Sequence, residues 1–112
     1  MDKMNLTAKK CTPCQGGIPA MSFDIAERHM ADVPGWELID NATKLKHTYK
    51  FSNFVDAMLF AKQVGDLCEK EGHHPDIMFG WGYAKVIFQT HKINGLHEND
   101  FIMAAKVNEL AE

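Results

Sequence analysis

The sequence predicts an α+β domain: a small four-stranded antiparallel sheet with helices packed on one face, in the order helix, hairpin, helix, hairpin, helix. Three observations carry this prediction. Two stretches, 36–51 and 77–90, hold short apolar runs broken by polar or glycine turns, the pattern of hairpins with one buried face. Between them lies one long stretch with apolar residues at helical spacing. And 112 residues are enough for one buried core but too few for two well-formed ones, so 1–112 is read as a single domain.

Met1 to Met21 carries Thr12, Pro13, Gly16, Gly17 and Pro19 with no apolar period, which predicts an extended arm laid over the domain. Cys11-Thr12-Pro13-Cys14 lies in it. A structural zinc site needs four ligands, and no second pair is present; a redox Cys-x-x-Cys normally opens a helix, whereas Gly16-Gly17 follows here. Two minor cysteines in a coil is the better reading.

Ser22 is placed to cap a first helix reaching Asp32, with Asp24 in its first turn and Ile25, Ala26, His29 and Met30 recurring at helical spacing. Pro34-Gly35 stops it. Trp36 to Asp40 and Leu45 to Phe51 then form a hairpin around Asn41-Ala42-Thr43-Lys44; Leu45, His47, Tyr49 and Phe51 alternate with Lys46, Thr48 and Lys50. Ser52-Asn53 caps the longest helix, Phe54 to Glu71, whose stripe is Phe54, Ala57, Met58, Phe60, Ala61, Val64, Leu67 and Cys68. Gly72 ends that helix. The second hairpin runs from Ile77 to Trp81 and from Lys85 to Thr90, with Gly80 and Gly82 suggesting a bent or bulged passage between the strands. Glu98 to Leu110 is the last helix, with Asp100 in its first turn, where a carboxylate suits the helix dipole.

The formal charge is -3, from 12 basic and 15 acidic residues spread without long runs, so nucleic acid is not an expected ligand. No apolar run approaches the roughly 20 residues that span a bilayer, and the first residues lack a signal core. With 3 cysteines and no disulfide framework, the expectation is a cytoplasmic protein without membrane contact.

The chemistry concentrates between Glu69 and Asp100. There Glu69 precedes His73-His74-Pro75, and Trp81, Gln89-Thr90-His91, Gly95-Leu96 and Asp100 follow. Imidazole is the side chain that most readily gives and takes protons near neutral pH, and a carboxylate beside it fixes its tautomer. Singly, each residue has a plainer explanation as a loop histidine or a solvated cap. His73, His74, His91, Glu69 and Asp100 are also permissible zinc or iron ligands. But adjacent histidines in extended chain point to opposite faces, so His73 and His74 would rarely share an ion.

Glu69-x-x-x-His73-His74-Pro75, the aromatic Trp81, Thr90-His91, Gly95-Leu96 and Asp100 together resemble the signature of the pterin-4a-carbinolamine dehydratase family. The resemblance extends to Cys11-x-x-Cys14 with Gly16-Gly17 and Pro19, to Pro34-Gly35-Trp36-Glu37-Leu38, and to Tyr49-x-Phe51-x-x-Phe54-x-x-Ala57, nearly the whole chain of a bacterial-type member. It departs at His97, where the family usually has a Thr or Ser helix cap, and at Trp81, often Tyr. Neither position supplies the proton chemistry, so weaker capping of the last helix or altered packing is expected, rather than loss of activity.

The resemblance implies an enzyme that removes water from a 4a-hydroxytetrahydropterin to give a quinonoid dihydropterin, recycling the pterin of aromatic amino acid hydroxylases, with neither metal nor cofactor. It implies His73 and His91 as acid and base in undetermined order, His74 as a substrate holder, and Glu69 and Asp100 as the groups that orient or charge-stabilise the histidines. The pterin edge would meet Gln89 and Thr90, and an aromatic wall would come from Trp81 or Trp36. Relatives are homodimers or homotetramers, and the exposed edges of a four-stranded sheet make self-association reasonable here. The competing reading is a non-catalytic module for pterin binding or protein interaction.

Overall fold

A computed structural model describes residues 6–9 and 18–111; Cys11, Cys14, Gly16 and Gly17 lie outside them. Three helices, α1 (Phe23–His29), α2 (Phe54–Glu71) and α3 (Glu98–Ala111), accompany four strands, β1 (Glu37–Ile39), β2 (Lys44–Lys50), β3 (Asp76–Gly80) and β4 (Tyr83–Phe88). All neighbours are antiparallel, in the order β1-β2-β4-β3. The predicted α+β class and both hairpins are present. The hairpins join through β2 and β4, from Leu45 opposite Phe88 to Lys50 opposite Tyr83.

The caps follow from local chemistry. Ser22 Oγ accepts the Ile25 N–H at 3.3 Å and Asn53 Oδ1 accepts the Asp56 N–H at 2.8 Å, each satisfying a donor that an opening helix leaves without a partner. α1 ends at His29, short of the predicted Asp32, because Met30–Asp32 tightens into a 3-10 turn before Pro34. The arm is not wholly extended either. Leu6–Ala8 forms a 3-10 turn, and Leu6 is buried in the main core; one apolar side chain with a helix to rest on outweighs a composition poor in helix signals.

The β3–β4 passage carries no bulge. Its register is continuous from Asp76 opposite Ile87 to Gly80 opposite Tyr83, and Trp81-Gly82 makes a tight turn with Gly82 at φ 83°, where a side chain would be strained. The β1–β2 turn is less regular: Asp40, Asn41 and Ala42 all have positive φ, and the Thr43 hydroxyl donates to the Asp40 carbonyl at 2.7 Å.

One face of the sheet, through Leu45, Tyr49, Ala84, Val86 and Phe88, packs against α2 and α3. On α2 the buried stripe is Ala57, Phe60, Ala61, Val64 and Cys68. Phe54 and Met58, expected in that stripe, are instead 43% and 41% exposed, because they lie on its flank beside Val55 and Leu59. The more deeply buried helix is α3, with every residue from Asn99 to Ala105 buried. Asn108 ties it to the sheet: its Oδ1 accepts Trp36 Nε1–H at 3.0 Å and Tyr49 O–H at 2.6 Å, while its Nδ2 donates to the Pro34 carbonyl at 3.0 Å. This packing fixes where the first turn of α3 meets the end of α2.

Candidate functional site

The end of α2 delivers two histidines in different directions. Gly72 takes a left-handed conformation, φ 72°, its N–H donating to the Glu69 carbonyl at 3.3 Å while the His73 N–H reaches the Cys68 carbonyl at 3.2 Å. This paired closure is the Schellman ending, for which glycine is the favoured residue. Beyond it the chain leaves the helix, and β3 begins at Asp76. His73 turns inward to Asp100, Nε2 to Oδ1 at 2.6 Å, and His74 turns outward to Glu69, Nε2 to Oε1 at 2.7 Å.

Asp100 is wholly buried, and its carboxylate has collected donors from three parts of the chain. Oδ1 faces His73, while Oδ2 accepts the Thr90 hydroxyl at 2.7 Å and the His97 backbone N–H at 3.0 Å. A buried carboxylate needs such compensation. With three donors and the positive end of α3 around it, Asp100 is placed as the anion, which calls for a proton on His73 Nε2 and leaves Nδ1 as that ring's second working atom.

His91 stands on a short closed loop. Thr90 and Gly95 bridge across it, with the Thr90 N–H donating to the Gly95 carbonyl at 2.9 Å. Between them His91–Ile93 makes a 3-10 turn closed by Asn94 at φ 50°. β4 thus ends at Phe88, two residues before the predicted Thr90, and His91 opens a turn rather than closing a strand. The loop is held from outside as well, since the Met21 N–H donates to the Leu96 carbonyl at 3.0 Å.

Gly72, His73, His74, Gln89, Thr90, His91 and Lys92 line an open cleft of about 270 Å³, close to the lower end of the range usual for small-molecule sites. Five of the residues singled out in the sequence therefore meet on one cavity. Asp100 lies behind its wall and Glu69 beyond its rim. Thr90 borders the cleft, but its hydroxyl is directed to Asp100 rather than to a ligand. The aromatic wall is not where it was expected. Trp81, 72% exposed, sits at the far turn of the β3–β4 hairpin, and Trp36 is buried on Asn108, so neither lines the cavity. Phe88 is wholly buried and does not reach the cavity; it backs His73, its ring 6.0 Å from the imidazole at an interplanar angle of 12°.

His97 was expected to cap poorly. Its Nδ1 in fact accepts the Asn99 N–H at 3.0 Å, and Asp100 answers on the His97 N–H, so the pair forms a reciprocal box of the kind usually built from a hydroxyl and a carboxylate. The His97-x-x-Asp100 spacing was the signal for it. Among the described residues, no three His, Cys, Asp or Glu side chains come together as a metal site.

Protonation is disturbed away from the cleft, around Trp36. Burial pushes His47 below its ordinary value of 6.5, against a backbone hydrogen bond at Thr48 and the charge of Glu37. Burial likewise pushes the Tyr49 hydroxyl up, partly offset by its hydrogen-bonded neighbour Trp36. His47 stacks on Tyr49, ring centroids 3.8 Å apart.

The family model of pterin 4 alpha carbinolamine dehydratase matches residues 19–110. The chain belongs to the pterin 4 alpha carbinolamine dehydratase family. A protein of Methylococcus capsulatus described as a "putative pterin-4-alpha-carbinolamine dehydratase" is 68% identical over 111 residues, 99% of this chain and 97% of that protein. One of Azoarcus with the same description is 53% identical, over 95% of this chain and 91% of its own. Among solved structures, a transcriptional coactivator/pterin dehydratase from Brucella melitensis superposes with a TM-score of 0.77 at 28% identity, covering 83% of this chain and 99% of its own. A pterin dehydratase-like protein identified as a RuBisCO assembly factor in the alpha-carboxysome shares the fold, TM-score 0.60 at 23% identity, over 71% of this chain and 93% of its own. No helix among the described residues of this family member is long and apolar enough to cross a membrane.

Proposed function

We propose that this family member dehydrates a 4a-hydroxytetrahydropterin by imidazole acid-base catalysis. The observation that carries the reading is the buried Asp100 carboxylate held against His73 in the wall of a cleft that His91 also lines. His73 Nδ1 takes the proton from the ring nitrogen next to the carbinolamine carbon, and Asp100 stabilises the imidazolium that forms. His91 donates a proton to the departing 4a-hydroxyl. Water leaves, the ring carbon and nitrogen become doubly bonded, and the product is the quinonoid dihydropterin. Each proton gained by one imidazole is matched by one lost from the other, so the reaction as proposed needs no metal or redox cofactor.

His74, steadied by Glu69, holds the substrate from the rim, and Gln89 with the backbone around Thr90 meets its polar edge. We further propose a cytoplasmic homodimer or homotetramer. The open edges of β1 and β3, with Phe54, Val55, Met58, Leu59, Met78 and Phe79 exposed on α2 and β3, support self-association, and sedimentation equilibrium measures it.

Stopped-flow dehydration of the carbinolamine tests the reaction. The wild type should be active and insensitive to chelator, with His73→Ala and His91→Ala each losing roughly a hundredfold or more. A wild type no faster than solvent would leave pterin binding or a protein partner as the function. A pterin-bound structure with no ring atom near His73 or His91 would refute the assigned roles.

A further inference from the structure

The first turn of α3 carries more than a helix start. Opening helices leave backbone N–H groups without partners, and the usual remedy is a Ser, Thr, Asp or Asn oxygen. Here the remedy is the His97 ring: Nδ1 accepts the Asn99 N–H at 3.0 Å. An imidazole nitrogen can accept only while it carries no proton. The same turn holds Asp100 twice, through the His97 N–H on Oδ2 at 3.0 Å and the Asp100 N–H on the His97 carbonyl at 3.0 Å. The other oxygen of that carboxylate faces His73 at 2.6 Å. A single chain of contacts therefore runs from the lone pair of His97 to the ring of His73.

We propose that His97 is a positioning residue for the dehydration, an imidazole cap whose lone pair holds the turn that aims Asp100 at His73. The proposal rests on the reaction proposed above. Its surroundings sharpen it. Glu98 follows His97 in sequence and is paired with Lys9 at 3.1 Å, so one acid of this turn already has a cation, while Asp100 is shared between the turn and His73. A proton on His97 Nδ1 would remove the acceptor and set a cation at the positive end of α3. The turn would then lose its grip on Asp100 from the side opposite His73.

The test compares wild type, His97→Ala and His97→Thr by stopped-flow dehydration across pH and by the imidazole nitrogen resonances of His73. His97→Ala should lower kcat roughly tenfold with KM within about twofold, the signature of a misaimed group rather than a lost binding contact. His97→Thr should restore kcat, because a hydroxyl accepts the same N–H. The His73 resonances should show the Nε2–H form in wild type and His97→Thr, and a mixture of tautomers in His97→Ala. A His97→Ala protein with wild-type kcat and unmoved His73 resonances would overturn the proposal, as would a His97→Thr protein whose kcat stays as low as that of His97→Ala. If wild type itself shows no dehydration, the reaction reading fails and the His73 resonances alone decide whether His97 positions that ring.

Discussion

His73 and His74 are neighbours in sequence, each bonded through Nε2 to a carboxylate at nearly the same distance, 2.6 Å and 2.7 Å. They differ in what surrounds the bond. The His73 side chain is 11% exposed and that of Asp100 not at all, whereas His74 and Glu69 are 63% and 81% exposed. In water an ion pair is screened and its partners can be replaced by solvent; in a buried setting the same contact fixes a tautomer and leaves costly orphans if one partner goes. Bond length does not separate the two pairs. Burial and the number of further donors on the carboxylate do.

The comparison breaks most sharply at Asp100. Asp100→Asn keeps the volume but offers His73 an amide, so kcat/KM should fall by about a hundredfold or more, read by stopped-flow dehydration. Glu69→Gln should cost about fivefold at most, mainly in KM, consistent with an exposed pair. Equal losses in the two variants would dissolve the contrast.

Stability should divide the pairs in the same order. Asp100→Ala strands the Thr90 hydroxyl and the His97 N–H, at roughly 1–3 kcal/mol for each group left unsatisfied. Glu69→Ala should change the unfolding free energy by no more than about 0.5 kcal/mol, as surface substitutions usually do. Urea denaturation at neutral pH measures both.

Salt should act on one pair only. Ionic strength raised from low to about 1 M contracts the Debye length to roughly 3 Å, and substrate binding that depends on His74 should weaken while the kcat set by His73 holds.

The smallest effect concerns a third histidine, stacked on Tyr49 rather than bonded to a carboxylate. Burial lowers His47 from 6.5, so the unfolded chain binds its proton more readily than the folded one. The stability this contributes is complete above about 6.5 and is lost as pH falls toward the folded value. His47→Phe should flatten that part of the stability-pH curve, measured by thermal melts between pH 7 and pH 5.

Much of this arrangement was legible in the sequence where the signal is local. Ser22, Asn53 and Gly72 marked helix ends correctly because capping depends on a few adjacent residues, and the bounds of α2 follow from two such marks. Residue type and the family pattern point to Glu69, His73, His74, Gln89, Thr90 and His91, and all but Glu69 line one cleft. What escaped was set by distant packing. No local pattern tells Thr90 to face Asp100, and Leu6–Ala8 is helical through its contact with α3. Phe54 and Met58 satisfied the helical period yet fell on the flank, since periodicity gives the width of an apolar stripe but not the part that the sheet covers. That His97 caps through a ring nitrogen is likewise invisible to a residue pattern built on side-chain oxygens.

The place of Asp100 at the head of α3 also gives the cleft a history. α3 follows every strand in the chain, and loop closure favours the hairpins first, so a growing chain can form its sheet and bring His73 near Phe88 while the ring still lacks its carboxylate. Asp100 rides in the first turn of α3, so His73 gains its carboxylate only when that helix docks. Onset of turnover during refolding or synthesis is thus a clock for the final docking step, and it should lag the appearance of secondary structure.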